Sequence, residues 1–210
     1  SRDPDIEGRA EPVLEALASS SGPARIALLG VLGRIGGKKP LEAVRDALRD
    51  GDAQVRDAAV RALAEWPDAS AAEDLLGIAK GGRSEEQKQI ALRAYIRVSR
   101  IRTGRPDAET ARLLAEGLAA AKRKEEKREA LAALAEVRDL RALEAVLPCL
   151  NDDTVKEEAA SAAVRIGREI WSARPEELRA LKRRISRPLL TELLDDRRDA
   201  YDACKKFIAD

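Results

Sequence analysis

Arginines are the residues of this sequence with the clearest capacity for binding chemistry. Arg97, Arg100, Arg102 and Arg105 fall within the segment RVSRIRTGRP, which contains no carboxylate. Guanidinium groups donate paired hydrogen bonds to carboxylates and phosphates, and a loop longer than its neighbours require often carries function. We therefore expect Arg100, Arg102 and Arg105 to form an anion-binding loop. A solvated charged loop is the alternative.

A second candidate site is a strip of charged residues on the exposed side of repeated segments, in which five residues occupy equivalent positions and Arg61 and Arg93 lie nearby. Its members are Arg34, Arg61, Glu65, Arg93, Arg97, Glu136 and Arg165. Such a mixed-charge strip is suited to the polar contacts of a partner protein. The alternative is that neighbouring opposite charges pair with each other in water, at about 0 to 1 kcal/mol a pair.

Further basic residues recur in a column that we interpret as structural. Its members are Arg25, Arg56, Lys88, Lys127 and Lys156. Asp52 precedes Arg56 by four residues and Asp152 precedes Lys156 by four, the helical spacing for an ion pair of about 0.2 to 0.5 kcal/mol. A ladder for phosphates is the less favoured interpretation. Local basic segments at 121–129 and 165–187 leave nucleic-acid binding open as a weaker possibility.

The sequence lacks a recognisable catalytic pattern. It contains no histidine, which excludes histidine general bases, Ser-His-Asp systems and the HExxH zinc site. Gly30, Gly33 and Gly36 have neither the spacing nor the preceding strand of a dinucleotide-binding loop, and we interpret them as a smooth helix face and a helix stop. We therefore predict no enzymatic activity, no cofactor and no metal.

Repeated apolar positions show which elements carry these side chains. One column consists of Ile35, Trp66, Val98, Val137 and Ile166, with steps of 31, 32, 39 and 29 residues. Apolar residues three positions apart within each unit indicate one face of a helix. The step of 39 indicates an insertion between the third and fourth repeats. The predicted core contains Leu32, Leu63, Trp66, Tyr95 and Leu134.

Each of these five helices is preceded by another amphipathic segment. The predicted first helices run from 12 to 19, 40 to 49, 71 to 80, 107 to 121 and 140 to 150. Ser21, Asp52, Ser84 and Asp152 are suitable helix caps, whereas Arg123 occupies the corresponding position of the fourth repeat. The unit is a helical hairpin of about 30 residues, and stacked hairpins form an α-solenoid.

The expected organisation is a single all-α domain, a right-handed superhelix of about five to six hairpins. Five repeats occupy residues 1–170, and residues 171–210 form an irregular, charged capping helix pair. Because the chain has no methionine, we expect it to be part of a longer polypeptide.

The quoted residues resemble a known family. The run from Gly51 to Leu63, with Asp52 and Val55-Arg56, resembles the second helix of a HEAT repeat, and the segment at 153–159 is similar to it. Pro148 in LPCLND resembles the proline that often bends the first HEAT helix. The resemblance covers residues 6 to 170 and implies a bacterial-type HEAT-like solenoid, while HEAT repeats serve many binding roles.

The expected function is a non-catalytic scaffold whose concave face binds a protein or peptide. The alternatives are a DNA-binding protein similar to the HEAT-like alkylpurine DNA glycosylases and, less favoured, a protein similar to HEAT-type bilin lyases. The 39 basic and 38 acidic residues nearly cancel and aromatic residues make up 2% of the chain, which disfavours extended DNA binding.

The sequence also bears on membrane insertion, oligomeric state and cellular compartment. No signal peptide or membrane-spanning stretch is recognisable, so we expect a soluble protein without membrane insertion, and we favour a monomer. The compartment is not indicated. Cys149 and Cys204 have neither metal-ligand spacing nor the number needed for a disulfide framework, and their redox state stays open.

Overall fold

The computed structural model describes residues 6–101 and 104–173 of the 210-residue chain. This part of the chain forms α-helices and two short 3₁₀ helices, and it contains no β-strand. The first helices of the hairpins are α1 (Ile6–Ser19), α3 (Lys38–Ala47), α5 (Ala72–Gly81), α7 (Asp107–Ala120) and α9 (Leu140–Val146). The second helices are α2 (Gly22–Ile35), α4 (Ala53–Ala64), α6 (Glu85–Arg100), α8 (Lys124–Leu134) and α10 (Lys156–Ala173).

This helical order confirms the prediction of an all-α repeat protein. Two predicted boundaries were wrong, both beside prolines. Helix α1 begins at Ile6, six residues before the predicted start at Pro12, so Pro12 lies inside the helix. The N–H group that proline lacks removes one helical hydrogen bond, and the helix continues through this position. Helix α9 ends at Val146 and a 3₁₀ segment, Leu147–Asn151, continues from it, since Pro148 cannot donate the next helical hydrogen bond.

The chain divides into two compact units between Thr103 and Gly104. In unit 1, the second helices pack in chain order, α2 against α4 and α4 against α6. Each of them also packs against the first helix of its own hairpin. In unit 2, α8 packs against α10, and α7 packs against both α8 and α9.

The predicted core positions are all buried. In unit 1, Leu32, Leu63, Trp66 and Tyr95 are each 0% exposed, and in unit 2 Leu134 is as well. The indole Nε1 of Trp66 donates a hydrogen bond to the hydroxyl of Ser70 at 2.9 Å. This bond satisfies the polar atom of the largest buried side chain.

Helices α2 and α4 approach closely at a glycine. A methyl group at Gly33 would lie 2.5 Å from the carbonyl oxygen and 2.7 Å from the Cα of Ala62. The first of the three spaced glycines is different, since a methyl group at Gly30 would meet nothing within 4 Å. Gly36 has a φ of 73° at the end of α2, a conformation that glycine adopts without strain.

The N-termini of the second helices use several kinds of cap. Asp52 accepts a hydrogen bond from the backbone N–H of Gln54, and Ser84 accepts one from that of Gln87, as predicted. Ser21 precedes α2 without a side-chain bond to the helix. Asp152 accepts from the N–H of Thr154, in the turn before α10.

Helix α8 begins without a short polar cap because Glu126 replaces it. The carboxylate of Glu126 is buried and accepts hydrogen bonds from the N–H groups of Lys122 and Arg123, at 3.0 and 3.1 Å. This is the glutamate half of a capping box, reaching back from the first turn. The insertion before this repeat therefore leaves the start of its second helix stabilised.

The predicted capping helix pair at 171–210 lies almost entirely outside the described residues. Its existence and the right-handed superhelix remain predictions.

Candidate partner-binding surface

The mixed-charge strip lies on the exposed sides of the second helices. Its seven residues are all exposed: Arg34, Arg61, Glu65, Arg93, Arg97, Glu136 and Arg165. Five of them belong to unit 1 and two belong to unit 2. Within each unit, the period of the repeats accounts for part of this placement, since Arg34, Glu65 and Arg97 in unit 1 occupy equivalent positions, as do Glu136 and Arg165 in unit 2.

In unit 1, three arginines of the strip occupy successive second helices. Arg34 lies on α2, Arg61 on α4 and Arg93 on α6. Among the residues that the structure describes, none forms an ion pair or a hydrogen bond with the side chain of any of these three arginines. Glu65, at the end of α4, likewise makes no ion pair with a described residue. The predicted alternative of mutual pairing is therefore not the arrangement seen here.

Arg97 differs from its neighbours because it contacts the preceding helix. Its Nη2 donates hydrogen bonds to the carbonyl oxygens of Ala64 at 2.9 Å and of Trp66 at 2.7 Å. These carbonyls lie at the C-terminal end of α4, where backbone acceptors lack helical partners and the helix dipole is negative. Arg97 thus has a structural role that the sequence pattern did not reveal.

Unit 2 presents a different surface at the same repeat positions. Glu136 follows α8, and Arg165 lies on α10. The positions equivalent to Arg61 and Arg93 are held by two small exposed residues, Ala132 and Ser161. The row of arginines is therefore a property of unit 1.

The three residues of the predicted anion-binding loop have different surroundings. Arg100 is the exposed last residue of α6. Arg105 is half-buried, and its Nε donates to the hydroxyl of Thr110 at 3.3 Å. Arg102 lies outside the described residues. The loop as an anion site remains a prediction.

Two of the five residues in the recurring basic column connect helical hairpins, and none of the five forms a predicted pair. Arg25 pairs with Asp50 of the next hairpin at 3.3 Å, and Lys127 pairs with Asp152 of the next hairpin at 2.6 Å. Arg56 donates to two backbone carbonyls of the turn before its own helix. The predicted pairs of Asp52 with Arg56 and of Asp152 with Lys156 were wrong.

Tertiary packing explains this difference. For Arg25 and Lys127, the turn of the following hairpin lies beside the basic side chain and provides a carboxylate. Lys156 and Lys88 instead pair within their own hairpins, with Asp153 at 4.0 Å and with Glu85 at 2.7 Å. The remaining hairpin contacts include a two-pronged pair between Arg45 of α3 and Asp74 of α5, with nitrogen–oxygen distances of 2.8 to 3.0 Å.

These contacts shift the acidity of the groups involved. The hydrogen bond from Lys127 lowers the pKa of Asp152 to about 2, assisted by the hydroxyl and the N–H of Thr154. The hydrogen bonds to Asp74 raise the pKa of Arg45. Burial raises the pKa of the Cys149 thiol, which is therefore a poor nucleophile.

No group of three His, Cys, Asp or Glu side chains within residues 6–101 and 104–173 is arranged to hold a metal ion. In the same ranges, no helix is both long and apolar enough to cross a lipid bilayer.

Paired helices that repeat along the described residues, with their second helices packed in order within each unit, define an all-α helical-repeat protein. Residues 10–96 match the family model of HEAT repeats. This match and the helical order support a HEAT-repeat domain, as the resemblance of the second helices predicted. A search of curated proteins found no match.

Proposed function

We propose that this protein is a non-catalytic scaffold that binds a protein or peptide through the exposed side of its second helices. HEAT repeats form a family whose members generally act as scaffolds. Helical-repeat arrays present extended concave surfaces to their partners. The mixed-charge strip lies on the helices that line such a surface in arrays of this type.

The observation that carries the proposal is the state of Arg34, Arg61 and Arg93. They are exposed on three successive helices and have no ion-pair partner among the described residues. No described group forms an ion pair or a hydrogen bond with their guanidinium groups, so such bonds within the protein do not explain their placement. A partner's polar groups would supply the missing contacts.

The location of the described aromatic rings disfavours the alternative of a DNA glycosylase-like protein. Trp66 and Tyr95 are fully buried, so neither can stack on a nucleic-acid base from its position. No observation on the described residues favours a pigment-binding role.

The test compares three forms of the chain as bait in quantitative pull-downs from the lysate of the source organism, each with a nuclease-treated sample. The first is the wild type, and the second carries Arg34→Glu, Arg61→Glu and Arg93→Glu. The third carries Lys38→Glu, Lys80→Glu and Arg83→Glu, which reverse three exposed charges away from the strip.

We expect one or a few proteins to be captured by the wild type and the control, insensitive to nuclease, and lost from the strip variant. Equal capture by all three forms would place the binding surface elsewhere. Capture that disappears with nuclease would favour nucleic acid as the partner.

A further inference from the structure

We propose that the partner segment bound by unit 1 is an extended acidic peptide of about six residues, whose carboxylates pair with Arg34, Arg61 and Arg93. This inference rests on the function proposed above and specifies the chemistry of the ligand.

Charge is strongly polarised along the second helices of unit 1. Their C-terminal halves, at residues 29–35, 59–65 and 93–100, carry six exposed residues. Five are arginines and one is a glutamate: Arg34, Arg61, Glu65, Arg93, Arg97 and Arg100. The N-terminal halves, at residues 22–28, 53–58 and 85–92, carry only half-buried basic residues, Arg25, Arg56 and Lys88, each of which bonds to a carboxylate or to backbone carbonyls. One end of this face is therefore basic in a chain whose formal net charge is +1.

A shortage of carboxylates does not explain why Arg34, Arg61 and Arg93 form no ion pair with a described residue. The chain contains 38 acidic residues for 39 basic ones, and basic side chains elsewhere in the described residues do find them. The pairs between different helices or turns include Arg25 with Asp50, Arg45 with Asp74, Arg128 with Glu158 and Arg138 with Glu169. Arg34, Arg61 and Arg93 form no such pair with a described residue, a property they share with Arg165 and Arg168 on α10. What distinguishes the three is that they lie on successive second helices of one unit, where an external acidic group can contact them together.

The spacing of the helices sets the length of the ligand. Packed helices lie about 8 to 10 Å apart, so the distance across α2, α4 and α6 is about 16 to 20 Å. Arg34 lies at a repeat position one turn later than Arg61 and Arg93, which adds an offset of about 6 Å along the helices and leaves the total near 20 Å. An extended peptide advances about 3.3 Å per residue, which gives about six residues across the row. Alternate side chains of an extended chain point to the same side, so acidic residues two or three positions apart match successive arginines.

Glu65 favours a peptide over a nucleic acid. It follows α4, whereas Arg34, Arg61 and Arg93 lie on α2, α4 and α6, and it places a negative charge within the basic end of the face. A duplex carries a phosphate charge about every 1.7 Å of its axis and cannot avoid that carboxylate. A peptide can present a neutral residue there. Glu65 thereby becomes a determinant of spacing within the bound segment.

The experiment selects ligands without prior assumptions. A display library of random heptapeptides is panned against the full chain, in parallel with the variant carrying Arg34→Gln, Arg61→Gln and Arg93→Gln. A second variant carrying Lys38→Gln, Lys80→Gln and Arg83→Gln removes the same number of positive charges elsewhere. Affinities of selected peptides, and of versions with Asp and Glu replaced by Asn and Gln, are then measured by fluorescence anisotropy.

We expect the selected peptides to contain at least three carboxylates. Their affinity should fall at least about tenfold in the first variant and less than about twofold in the second, because exposed arginine–carboxylate contacts are individually modest and act together. Glu65→Gln should raise the affinity about two- to threefold. Peptides with Asn and Gln in place of Asp and Glu should lose affinity for the wild-type protein to a similar extent. This comparison does not depend on the folding of any variant.

Other outcomes overturn the inference in distinguishable ways. Neutral or basic peptides that bind the wild type and are lost in the first variant would leave the proposed function standing and remove the acidic ligand. If no peptide is selected, or if the selected peptides bind the first variant as tightly as the wild type, both the proposed function and the acidic ligand are contradicted. Tighter binding of a 20-base-pair duplex than of the best peptide, dependent on the same arginines, would make the ligand a nucleic acid.

Discussion

Arg97 shows how one side chain of a repeat protein can serve the hairpin before its own. Its guanidinium satisfies the carbonyl oxygens of Ala64 and Trp66, two acceptors left without helical partners where α4 ends. A positive charge at a helix C-terminus also opposes the negative end of the helix dipole. Arg93, one turn earlier on the same helix, has no such contact with a described residue.

We expect Arg97→Gln to lower the free energy of unfolding by about 1 kcal/mol, because hydrogen bonds from a charged donor are lost at a partly exposed site. Arg93→Gln is the matched control and should leave stability within about 0.5 kcal/mol. Urea denaturation followed by circular dichroism measures both. Equal stability of the two variants would mean that water replaces the guanidinium at the end of α4 without cost.

Asp152 should make the stability of unit 2 sensitive to acid. Its pKa is lowered from 3.8 to about 2 by Lys127 and Thr154, so folding favours the charged carboxylate. A group with a depressed pKa in the folded state contributes stability above its unfolded pKa, and this contribution is lost as the pH falls through the folded pKa. The relevant window therefore extends from about pH 4 down to about pH 2.

We expect Asp152→Asn to lower the melting temperature at pH 7 and the difference from wild type to shrink as the pH falls through that window. Asp153→Asn is the control, because the side chain of Asp153 is 97% exposed and lies 4.0 Å from the amine of Lys156. Melting curves recorded between pH 7 and pH 2 give the comparison. A difference that does not change with pH would argue against the Lys127 contact as its source.

At the scale of elements, the contact between α2 and α4 depends on a missing side chain. Gly33 allows the backbone of Ala62 to approach to a distance that no Cβ would tolerate. Glycine within a helix costs about 1 kcal/mol relative to alanine. The close packing of two second helices therefore outweighs a local preference against glycine.

We expect Gly33→Ala to destabilise the protein by about 1 to 3 kcal/mol, because the added methyl group meets backbone atoms and the two helices must separate. Gly30→Ala is the control on the same helix. It should stabilise the protein by about 0.5 to 1 kcal/mol, since its methyl group meets nothing within 4 Å. Urea denaturation should therefore show a lower free energy of unfolding for Gly33→Ala and a higher one for Gly30→Ala than for the wild type. Stabilisation by both substitutions would show that α2 can shift without loss of packing.

At the scale of the whole molecule, stability should be distributed along the chain. In helical-repeat proteins each repeat contacts its neighbours, and total stability is approximately a sum of repeat and interface terms. The described helices follow this pattern within each unit, because α2 packs against α4, α4 against α6 and α8 against α10.

We expect Leu63→Ala and Leu134→Ala, each costing about 2 to 5 kcal/mol at a fully buried position, to affect different parts of the chain. Hydrogen exchange should accelerate most in α2, α4 and α6 for the first and in α8, α9 and α10 for the second. Mass spectrometry of exchanged peptides resolves the two patterns. A uniform increase along the chain in either variant would show that the protein unfolds as one cooperative body.

The sequence by itself determined the helical hairpins, their order and the buried positions such as Leu63, Trp66 and Tyr95. These properties follow from local periodicity, because apolar residues three and four apart form a helix face that must be buried. The helix boundaries near Pro12 and Pro148 did not follow from this periodicity, since a helix can either continue through the missing N–H group of a proline or end there.

The tertiary structure alone decided which polar groups meet. Lys127 pairs with Asp152, 25 residues away, and Arg97 reaches the carbonyl of Ala64, 33 residues away. Contacts between residues so far apart in the sequence depend on how neighbouring hairpins stack. The spacing of residues within a single helix does not determine that stacking. The same stacking leaves Arg34, Arg61 and Arg93 exposed on successive second helices of unit 1, and this arrangement supports the proposed site for an acidic peptide.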